Sequence, residues 1–568
     1  MSTRSSQSPL PGALSHRILS LGLLFACSLP ACKSAAEYAA EADEQVYGLV
    51  EARRATLFAE EGAFSIEPNP DSLRHRIVSG EVAALNDLGL AECMEIAAEN
   101  NRDYQTRKER LYLVALDLTL ERWRLGWIPG AFADGDLSGL GSEATSADAG
   151  GTLGLSRVLG TGAQVVGAIG LNVFKDLLSG DAWEATSSFS LLFTQPLLRG
   201  AGKLIVYEPL TQAERDLVYE VRDFERFRRQ LSVDIATRLL RILQQTNTIE
   251  NEQSNFSQVQ DIRVRNEALS DAGRLSLVQV DQALQDELSS ESRLIDVIQV
   301  YASLLDDLKL FLGLPPTVEV SIRQSELQRL VDQGLEPASH DSDEVIATAL
   351  QNRPDFMTAV DTVVDGERRS RVVADALRMG FDLTSSISGD SEAGEPLKYN
   401  FKDVQWSLGL SLDLPVNRLP ERNAYRAALI TWQRSTRNAQ LLSDQISVDL
   451  RNELRDLDAR RESYEIQINA VKLAQQRVES TQLNQKAGRA STRDLLEAQS
   501  ALVSSQNAQT RALIDFTLAR LQLALDMGLL RVHEDGLRLA DPELIESESP
   551  AIASEPQPDP SPEEGESE

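Results

Sequence analysis

The most constraining feature of this chain is a segment that occurs twice. Residues 272–313 and 487–528 align without insertion at a constant offset of 215 positions (487 − 272), from an Ala-Gly-Arg triplet to a Gly-Leu pair. A repeat of this kind decides the architecture before any single element does. The 568 residues would otherwise suggest several ordinary domains. The repeat instead predicts one body built from two related halves.

The duplication extends towards the N-terminus with changing offsets. Asn100 aligns with Asn352 at an offset of 252, whereas Pro196 aligns with Pro415 at an offset of 219. The first copy therefore carries the longer insertion between these two anchors. Because loops tolerate insertions far better than regular elements, we expect this insertion to be a loop.

Two long stretches are free of proline and almost free of glycine, at 210–314 and 421–541. This composition predicts helices, each interrupted once at its Ala-Gly-Arg triplet. The segment from about Glu421 to about Lys486 would be a helix of roughly 65 residues and about 100 Å. A helix of that length fits a long hairpin that reverses near Gly273 in one copy and Gly488 in the other, since glycine accepts the left-handed backbone that ends a helix.

Strands are predicted between the helices of each copy. From Val404 to Leu414 apolar and polar residues alternate without exception, which is typical of a strand with one apolar face. Its partner is expected at Phe381–Ile387, across a loop at 388–402. In the first copy, the segments 163–173 and 188–193 supply the other pair.

These strands fit either a soluble sheet or a membrane. Sandwich strands share the alternation, but about ten residues is also the length of a tilted transmembrane strand. Two strands per copy give four per chain, too few to close a barrel, and an open edge cannot lie in lipid. Strands in a membrane would therefore have to be pooled by several chains, so the sequence predicts an oligomer.

The charge balance is strongly acidic, with 56 Lys and Arg against 87 Asp and Glu, a net charge of −31. Nucleic-acid binding depends on basic surfaces, so no nucleic-acid partner is expected. Much of the acidity lies in residues 531–568, where Pro, Ser and Glu dominate after Asp541. This composition predicts a disordered C-terminal tail.

The N-terminal residues 1–31 read as an export signal, because basic residues precede a short apolar run that is too short to span a bilayer. Residues 29–32 (Leu-Pro-Ala-Cys) resemble a bacterial lipobox, which would make Cys32 the lipidated first mature residue; Cys27 is the other possibility. The remaining cysteine, Cys93, has no partner for a disulfide within a chain processed at Cys32.

Taken together, these segments make the chain similar to the TolC family of outer-membrane factors, the trimeric channel-tunnels of bacterial efflux and secretion systems. The resemblance covers roughly residues 85–530 and rests on four segments in this order: Leu88–Glu121, Phe193–Gly202, Val404–Pro415 and Ala487–Gln499. It implies an α+β membrane protein in which a homotrimer pools four transmembrane β-strands per protomer into one barrel, continued into the periplasm by a tunnel of long α-helical hairpins.

The resemblance also implies functional positions. The helix-tip turns, Gly273 and Arg274 in the first copy and Gly488 and Arg489 in the second, would dock a periplasmic adaptor protein and an inner-membrane pump. Acidic residues shortly after the tip line the periplasmic gate in the family, and the matching positions are Asp494 and Glu497. In the first copy Gln279 stands at the position of Asp494, with Asp281 nearby. The lipid-facing strand would present Val404, Trp406, Leu408 and Leu410.

No motif for chemistry accompanies this pattern. The sequence has no phosphate-binding glycine loop, no nucleophile elbow and no Cys/His metal set, so neither an enzyme nor a cofactor is expected. We predict a passive outer-membrane channel; the alternative is a lipid-anchored periplasmic coiled-coil protein without a pore. The expected organisation is a signal (1–31), an anchor and linker (32–84), a first repeat (85–314), a connection (315–340), a second repeat (341–530) and the tail.

Overall fold

The computed structural model describes residues 33–58, 64–140, 144–177, 183–326, 328, 341–392, 394–414, 416–533 and 536–539. These residues divide into two units, one up to Ser65 and one from Ile66 onwards. The export signal, Cys27, Cys32 and residues 540–568 of the predicted tail lie outside the described residues, so those predictions stay predictions. The start of the tail, which the sequence predicts to be disordered from residue 531, instead pairs as a short antiparallel hairpin of residues 530–533 and 536–539, because Leu530 and Val532 pack against the apolar core.

In the first unit a single helix is described, α1 (Ala35–Phe58). Val46 and Val50 are fully buried on one side of it, one helical turn apart. The Phe64 ring packs edge-on against Tyr47 at 6.0 Å, and its backbone N–H donates to the Glu51 carboxylate at 2.9 Å. These contacts return the chain onto its own helix.

The described part of the second unit contains two successions of elements, and each succession includes a pair of long helices. The first comprises α2 (Leu73–Val78), β1 (Ala84–Leu88), α3 (Leu90–Asn100), α4 (Arg102–Arg124), β2 (Ile128–Leu140), β3 (Ala144–Val158), β4 (Gln164–Asp176), β5 (Glu184–Pro196), α5 (Lys203–Val206), α6 (Glu208–Asp271) and α7 (Leu277–Phe311). The second comprises β6 (Glu319–Ile322), α8 (Ser342–Asn352), α9 (Pro354–Asp375), β7 (Gly380–Glu392), β8 (Glu395–Tyr399), β9 (Gln405–Asp413), α10 (Leu419–Lys486), α11 (Thr492–Asp526), β10 (Leu530–His533) and β11 (Gly536–Leu539).

The long helical hairpins occur where the sequence predicts them. Helices α6 and α10 have 64 and 68 residues, and each has a proline in its first turn, where the missing N–H has no intrahelical partner to lose. Each ends one residue before the alanine of an Ala-Gly-Arg triplet, and the chain returns as a 35-residue helix, α7 or α11. The helix lengths and breaks predicted from proline and glycine placement are confirmed.

The sheet is larger than the sequence predicts. Among the described residues, six long antiparallel strands follow the order β2-β3-β4-β5-β7-β9, and the short β8 pairs with the end of β7. The expectation of four strands per chain is therefore wrong, because the first half contributes four long strands and the second half two. The strand at Val404–Leu414 and its partner are present, with Gly380 opposite Asp413 and Ser388 opposite Gln405.

Two predicted loops are in fact strands. The segment 388–402 contains the end of β7 and all of β8. The insertion in the first copy, which accounts for the drop in offset from 252 to 219, coincides with the β2–β3 hairpin. Alanine, glycine, serine and aspartate dominate this hairpin, so its strand propensity is weak and the alternation is hidden by small residues. The hairpin is nevertheless extended, because its strand β3 forms an antiparallel ladder with β4.

The main apolar core lies where the middle of α6 and the C-terminal ends of α7 and α11 meet the short elements of both halves. Leu90, Leu239, Leu308 and Leu521 are fully buried there, contributed by α3, α6, α7 and α11. A second cluster joins α8, α10 and α11 around Leu450 and Leu523. The parallel pair β1–β6 closes one side of the main core and joins the two halves of the chain.

Among the described residues, no helix combines the length and the apolar composition that crossing a bilayer requires.

Candidate functional site

The two helix-hairpin tips have the same backbone geometry. Gly273 and Gly488 adopt positive φ angles of 69° and 68°, which other residues rarely reach. The N–H of Arg274 donates to the Leu269 carbonyl and that of Arg489 donates to the Asn484 carbonyl, both at 2.8 Å. These bonds satisfy carbonyl groups that the ending helix leaves free. Both glycines and both arginines are exposed, as an external contact site requires.

Asp494 takes part in a capping box at the start of α11. The backbone N–H and the hydroxyl of Ser491 each donate to Asp494 Oδ2 at 2.8 Å, while the Asp494 N–H donates to Ser491 Oγ at 3.3 Å. These hydrogen bonds, the backbone one foremost, hold the pKa of Asp494 below its ordinary value. The carboxylate is exposed, charged and oriented by its own helix terminus.

Glu497 is the second acidic residue predicted at the gate. It lies one turn further along α11 and is exposed. Its carboxylate forms an ion pair with Arg477 of α10 and accepts a hydrogen bond from that guanidinium at 2.9 Å. Each predicted gate residue thus has a partner within its own chain, so the role of both at a constriction stays a prediction.

The first tip lacks this arrangement. Ser276 begins α7 without a side-chain capping bond, and Gln279 occupies the place of Asp494. The next residue differs too, since Leu277 is 73% exposed whereas the matching Thr492 is 2% exposed. The two tips therefore share a backbone turn but not a local environment.

A ladder of polar side chains joins α6 of the first half to α11 of the second. Asn251 donates to Asn507 at 2.8 Å, Gln499 donates to Gln258, and Asn266 donates to Thr492 at 3.2 Å. Asn266 and Thr492 are almost fully buried, so their mutual bond avoids an unsatisfied polar group. Sequence reasoning missed this ladder. Its signal was available, because both helices space these residues seven and then eight positions apart.

The sheet has one mainly apolar face that runs across all six long strands. Directly opposed residues of antiparallel strands share a face, so the register assigns each side chain to one side. The larger apolar residues of this face are Leu137, Leu153, Leu155, Val165, Ile169, Leu171, Val173, Phe189, Leu191, Phe193, Phe381, Leu383, Ile387, Trp406, Leu408, Leu410 and Leu412. The opposite face is mainly polar and small, with Asp, Asn, Ser and Thr prominent. Its larger apolar residues are Ile128, Phe132, Leu140, Val158, Val166, Phe174 and Leu192.

The predicted lipid-facing residues lie on this apolar face. Trp406, Leu408 and Leu410 are 76%, 66% and 65% exposed and project from β9, whereas Val404 precedes the strand. Ser407 lies on the other face, where its hydroxyl is 2.7 Å from that of Ser386. The alternation predicted for this segment is present, and exposure to lipid stays a prediction.

Among the described residues, no group of three or more His, Cys, Asp or Glu side chains is placed to hold a metal ion.

Comparison with solved structures identifies the fold. The outer-membrane channel OprN matches with 13% identity and a TM-score of 0.56, covering 81% of this chain and 92% of that one. The CmeC outer-membrane channel of Campylobacter jejuni gives 12% identity, a TM-score of 0.57 and coverages of 87% and 94%. The outer-membrane protein VceC of Vibrio cholerae gives 14%, 0.56, 77% and 96%. No protein-family model and no curated protein matches the chain in sequence.

These likenesses show that the chain has the fold of outer-membrane channel proteins. The fold predicted from the TolC-family resemblance is thereby confirmed at the level of helix-rich architecture with an antiparallel sheet.

Proposed function

We propose that this chain is a passive outer-membrane channel-tunnel, which exports substrates for a tripartite efflux system or a type I secretion system. The observation that carries the proposal is the sheet. An apolar face this broad and this exposed, spread over six strands of nine to fifteen residues, fits contact with the hydrocarbon of a bilayer. The polar opposite face then lines a water-filled lumen.

A single sheet cannot fulfil that role alone. Strands β2 and β9 are its edges, and the backbone groups on their outer sides would stay unpaired in lipid. Several copies must therefore pool their strands into one closed barrel. The TolC-family resemblance sets the number of copies at three, a homotrimer built from two structural repeats per chain.

The helices support the same conclusion. On α7 the exposed apolar residues Leu277, Leu284, Leu288 and Ile295 follow each other at intervals of seven, four and seven. On α10, Leu441 and Val448 are also exposed and seven apart. Such a spacing places apolar side chains along one stripe of a helix, the pattern of a coiled-coil seam. Neighbouring copies would cover these stripes and complete the tunnel wall.

In this arrangement each predicted site has a role. The exposed tips at Gly273, Arg274, Gly488 and Arg489 dock a periplasmic adaptor, which connects the tunnel to an inner-membrane pump. A lipid on Cys32 anchors each chain to the outer membrane. Energy comes from the pump, because the channel itself has no chemical step to perform.

Reconstitution into planar bilayers tests the channel. Purified protein should give discrete ohmic conductance steps. A quencher embedded in the bilayer should remove a larger share of the tryptophan fluorescence from the unmodified protein than from the Trp406→Phe variant. Absence of both signals would contradict the proposal and favour the lipid-anchored periplasmic coiled-coil protein without a pore.

To test the predicted gate, the variants must preserve the capping box in which Asp494 takes part. Asp494→Asn retains an oxygen that can accept the Ser491 hydrogen bond, and Glu497→Gln retains the size of the side chain. If three copies bring these carboxylates together at a narrow mouth, their removal should weaken cation selectivity and block by multivalent cations. Unchanged selectivity and block in the double variant would mean that the constriction lies elsewhere.

A further inference from the structure

Within the part of the second half that the structure describes, the β2–β3 hairpin has no counterpart. Its place in the sheet would determine the size of a barrel built from this sheet. We propose that this hairpin is part of the membrane wall, so that each protomer contributes six long strands and β2 of one copy pairs with β9 of the next. This inference rests on the proposed channel function and adds the interface between copies.

The first support is the register. Strand β3 pairs with β4 through thirteen consecutive residues, from Ser146 opposite Asp176 to Val158 opposite Gln164, and β2 pairs with β3 through thirteen more. Neither ladder shows a register shift. A hairpin outside the wall would have to give up its pairing with β4. The insertion therefore continues the sheet.

The second support is the side-chain pattern. On the apolar face the hairpin carries Ala131, Ala133, Leu137, Leu153 and Leu155, in line with Ile169 of β4. On the opposite face it carries Asp134, Asp136 and Asp148, and Asn172 of β4 donates to Asp148 at 3.2 Å. The hairpin thus continues both faces of the sheet. A loop surrounded by water would not require such an alternation of apolar and polar side chains.

The third support is the match between the two edges. Successive strands alternate in direction, so β2 and β9 at opposite ends of a six-stranded sheet run antiparallel to each other. Neither has a proline inside, apart from Pro129 at the start of β2, so their outward backbone N–H groups can donate. Head-to-tail pairing of β2 with β9 uses two different surfaces of each copy and closes into a ring. The occupant of each edge is therefore a second copy of this chain.

The consequence is a wider pore. Three copies with six strands each form an eighteen-stranded barrel, whereas four strands each would form a twelve-stranded one. With about 4.8 Å between strands and a tilt of about 40°, the backbone radius is about 18 Å in the first case and about 12 Å in the second. The three aspartates of each hairpin would line the inside of this wall.

Disulfide trapping in intact membranes tests the pairing. Ser407→Cys on β9 serves as the anchor and is combined with a cysteine at one polar-face position of β2, namely Gly130, Phe132, Asp134, Asp136 or Ser138. A second series combines the same anchor with β4, at Val166, Ala168, Gly170 or Asn172. The Ser386→Cys/Ser407→Cys pair within one chain is the positive control. Cys93 can stay, because its burial raises the pKa of its thiol to about 12 and keeps it unreactive.

We expect crosslinks between chains at about one or two neighbouring β2 positions, because opposed residues lie about 5 Å apart across a strand pair and diagonal ones about 7 Å. Crosslinks between chains from the anchor to β4, without any to β2, would overturn the inference but leave a four-strand channel possible. If the control pair forms and neither series links two chains, the inference is also overturned. Bilayer conductance of the uncrosslinked protein then shows separately whether the proposed function fails with it.

Discussion

The two halves of the chain close their long hairpins with similar backbone joints but different chemistry. In the first joint Asn101, which is almost fully buried, donates from its amide to the Phe311 carbonyl at 2.6 Å and caps α4 through the Tyr104 N–H at 2.8 Å. In the second, Arg353 stands in the place of Asn101 and binds Asp526 and Asp355 at 3.3 and 2.9 Å. The Gly313 carbonyl of the first joint also accepts from the Arg74 guanidinium at 2.6 Å. We call the first joint neutral and the second ionic after the side chains of Asn101 and Arg353.

The difference shows what a duplicated fold must keep and what it can change. Both joints satisfy the last carbonyls of a helix, which is a requirement of the backbone. The neutral joint does so with the Asn101 amide and one contact from Arg74, whereas Arg353 of the ionic joint pairs with two carboxylates whose charges depend on it. A buried charge network is intolerant of partial removal, since a charge left unpaired is costly. The halves should therefore respond unequally to matching substitutions.

The largest difference should follow removal of the joint side chains. Arg353→Ala leaves Arg226 as the cation that still pairs with Asp526 and Asp355. It should lower the free energy of unfolding by about 3–5 kcal/mol, towards the lower value because Arg226 remains. Asn101→Ala should cost about 1–3 kcal/mol. Urea unfolding followed by far-UV circular dichroism measures both. Equal costs would show that the ionic joint is no more dependent on its partners than the neutral one.

The sheet offers a comparison of faces in both halves. Leu408→Arg on β9 should destabilise the oligomer by about 2–4 kcal/mol if it lies near the bilayer midplane, and Leu153→Arg on β3 should behave similarly. Ser407→Arg and Thr152→Arg, on the opposite face, are the matched controls and should cost much less. The readout is the heat stability of the oligomer in detergent. Similar losses for all four variants would mean that the two faces have been assigned wrongly.

A pH effect should arise in the second half. Burial and then the neighbouring Asp526 carboxylate raise the pKa of Glu453 to about 8, from an ordinary value of 4.5. The folded state thus holds this proton more tightly than the unfolded state, and stability falls as pH rises from about 4.5 to about 8. The position 215 residues earlier is Arg238, which stacks on Phe311 at 3.6 Å instead.

The unmodified protein should therefore lose more unfolding free energy between pH 4 and pH 9 than the Glu453→Gln variant does. The difference should be on the order of 1 kcal/mol. Unfolding curves across this range provide the measurement, and Glu462→Gln on the exposed side of α10 is the control. A pH dependence that is the same in Glu453→Gln and in the unmodified protein would remove Glu453 as its source.

The smallest expected difference lies at the tips. Ser491→Ala removes the capping box of α11 and should cost about 1 kcal/mol locally, whereas Ser276→Ala at the other tip removes no side-chain cap bond. Hydrogen exchange of the first-turn amides should accelerate at α11 and stay unchanged at α7. If exchange accelerates equally at both tips, the capping box of α11 does not account for the protection of its first turn.

Several of these features follow from local sequence rules. Helices α6 and α10 could be bounded because Pro209 and Pro420 mark first turns and Gly273 and Gly488 mark ends, and each rule acts within a few residues. Strand β9 could be placed because large apolar residues alternate with small polar ones. The β2–β3 hairpin could not, since its small residues carry little contrast between faces until β4 fixes their register.

The candidate site divides in the same way. The exposed tip arginines and the apolar face of β9 depend on neighbouring residues only, so the sequence by itself determined their placement. Other contacts depend on more than neighbouring residues. Asp494 meets Ser491 in this geometry only when the helix terminus forms. The remaining contacts join residues that are not neighbours in the chain: Glu497 with Arg477, Asn266 with Thr492, and Arg353 with Asp526. Those pairings were decided by the tertiary structure, because hydrogen bonds and ion pairs require a few ångströms of approach that no residue spacing specifies.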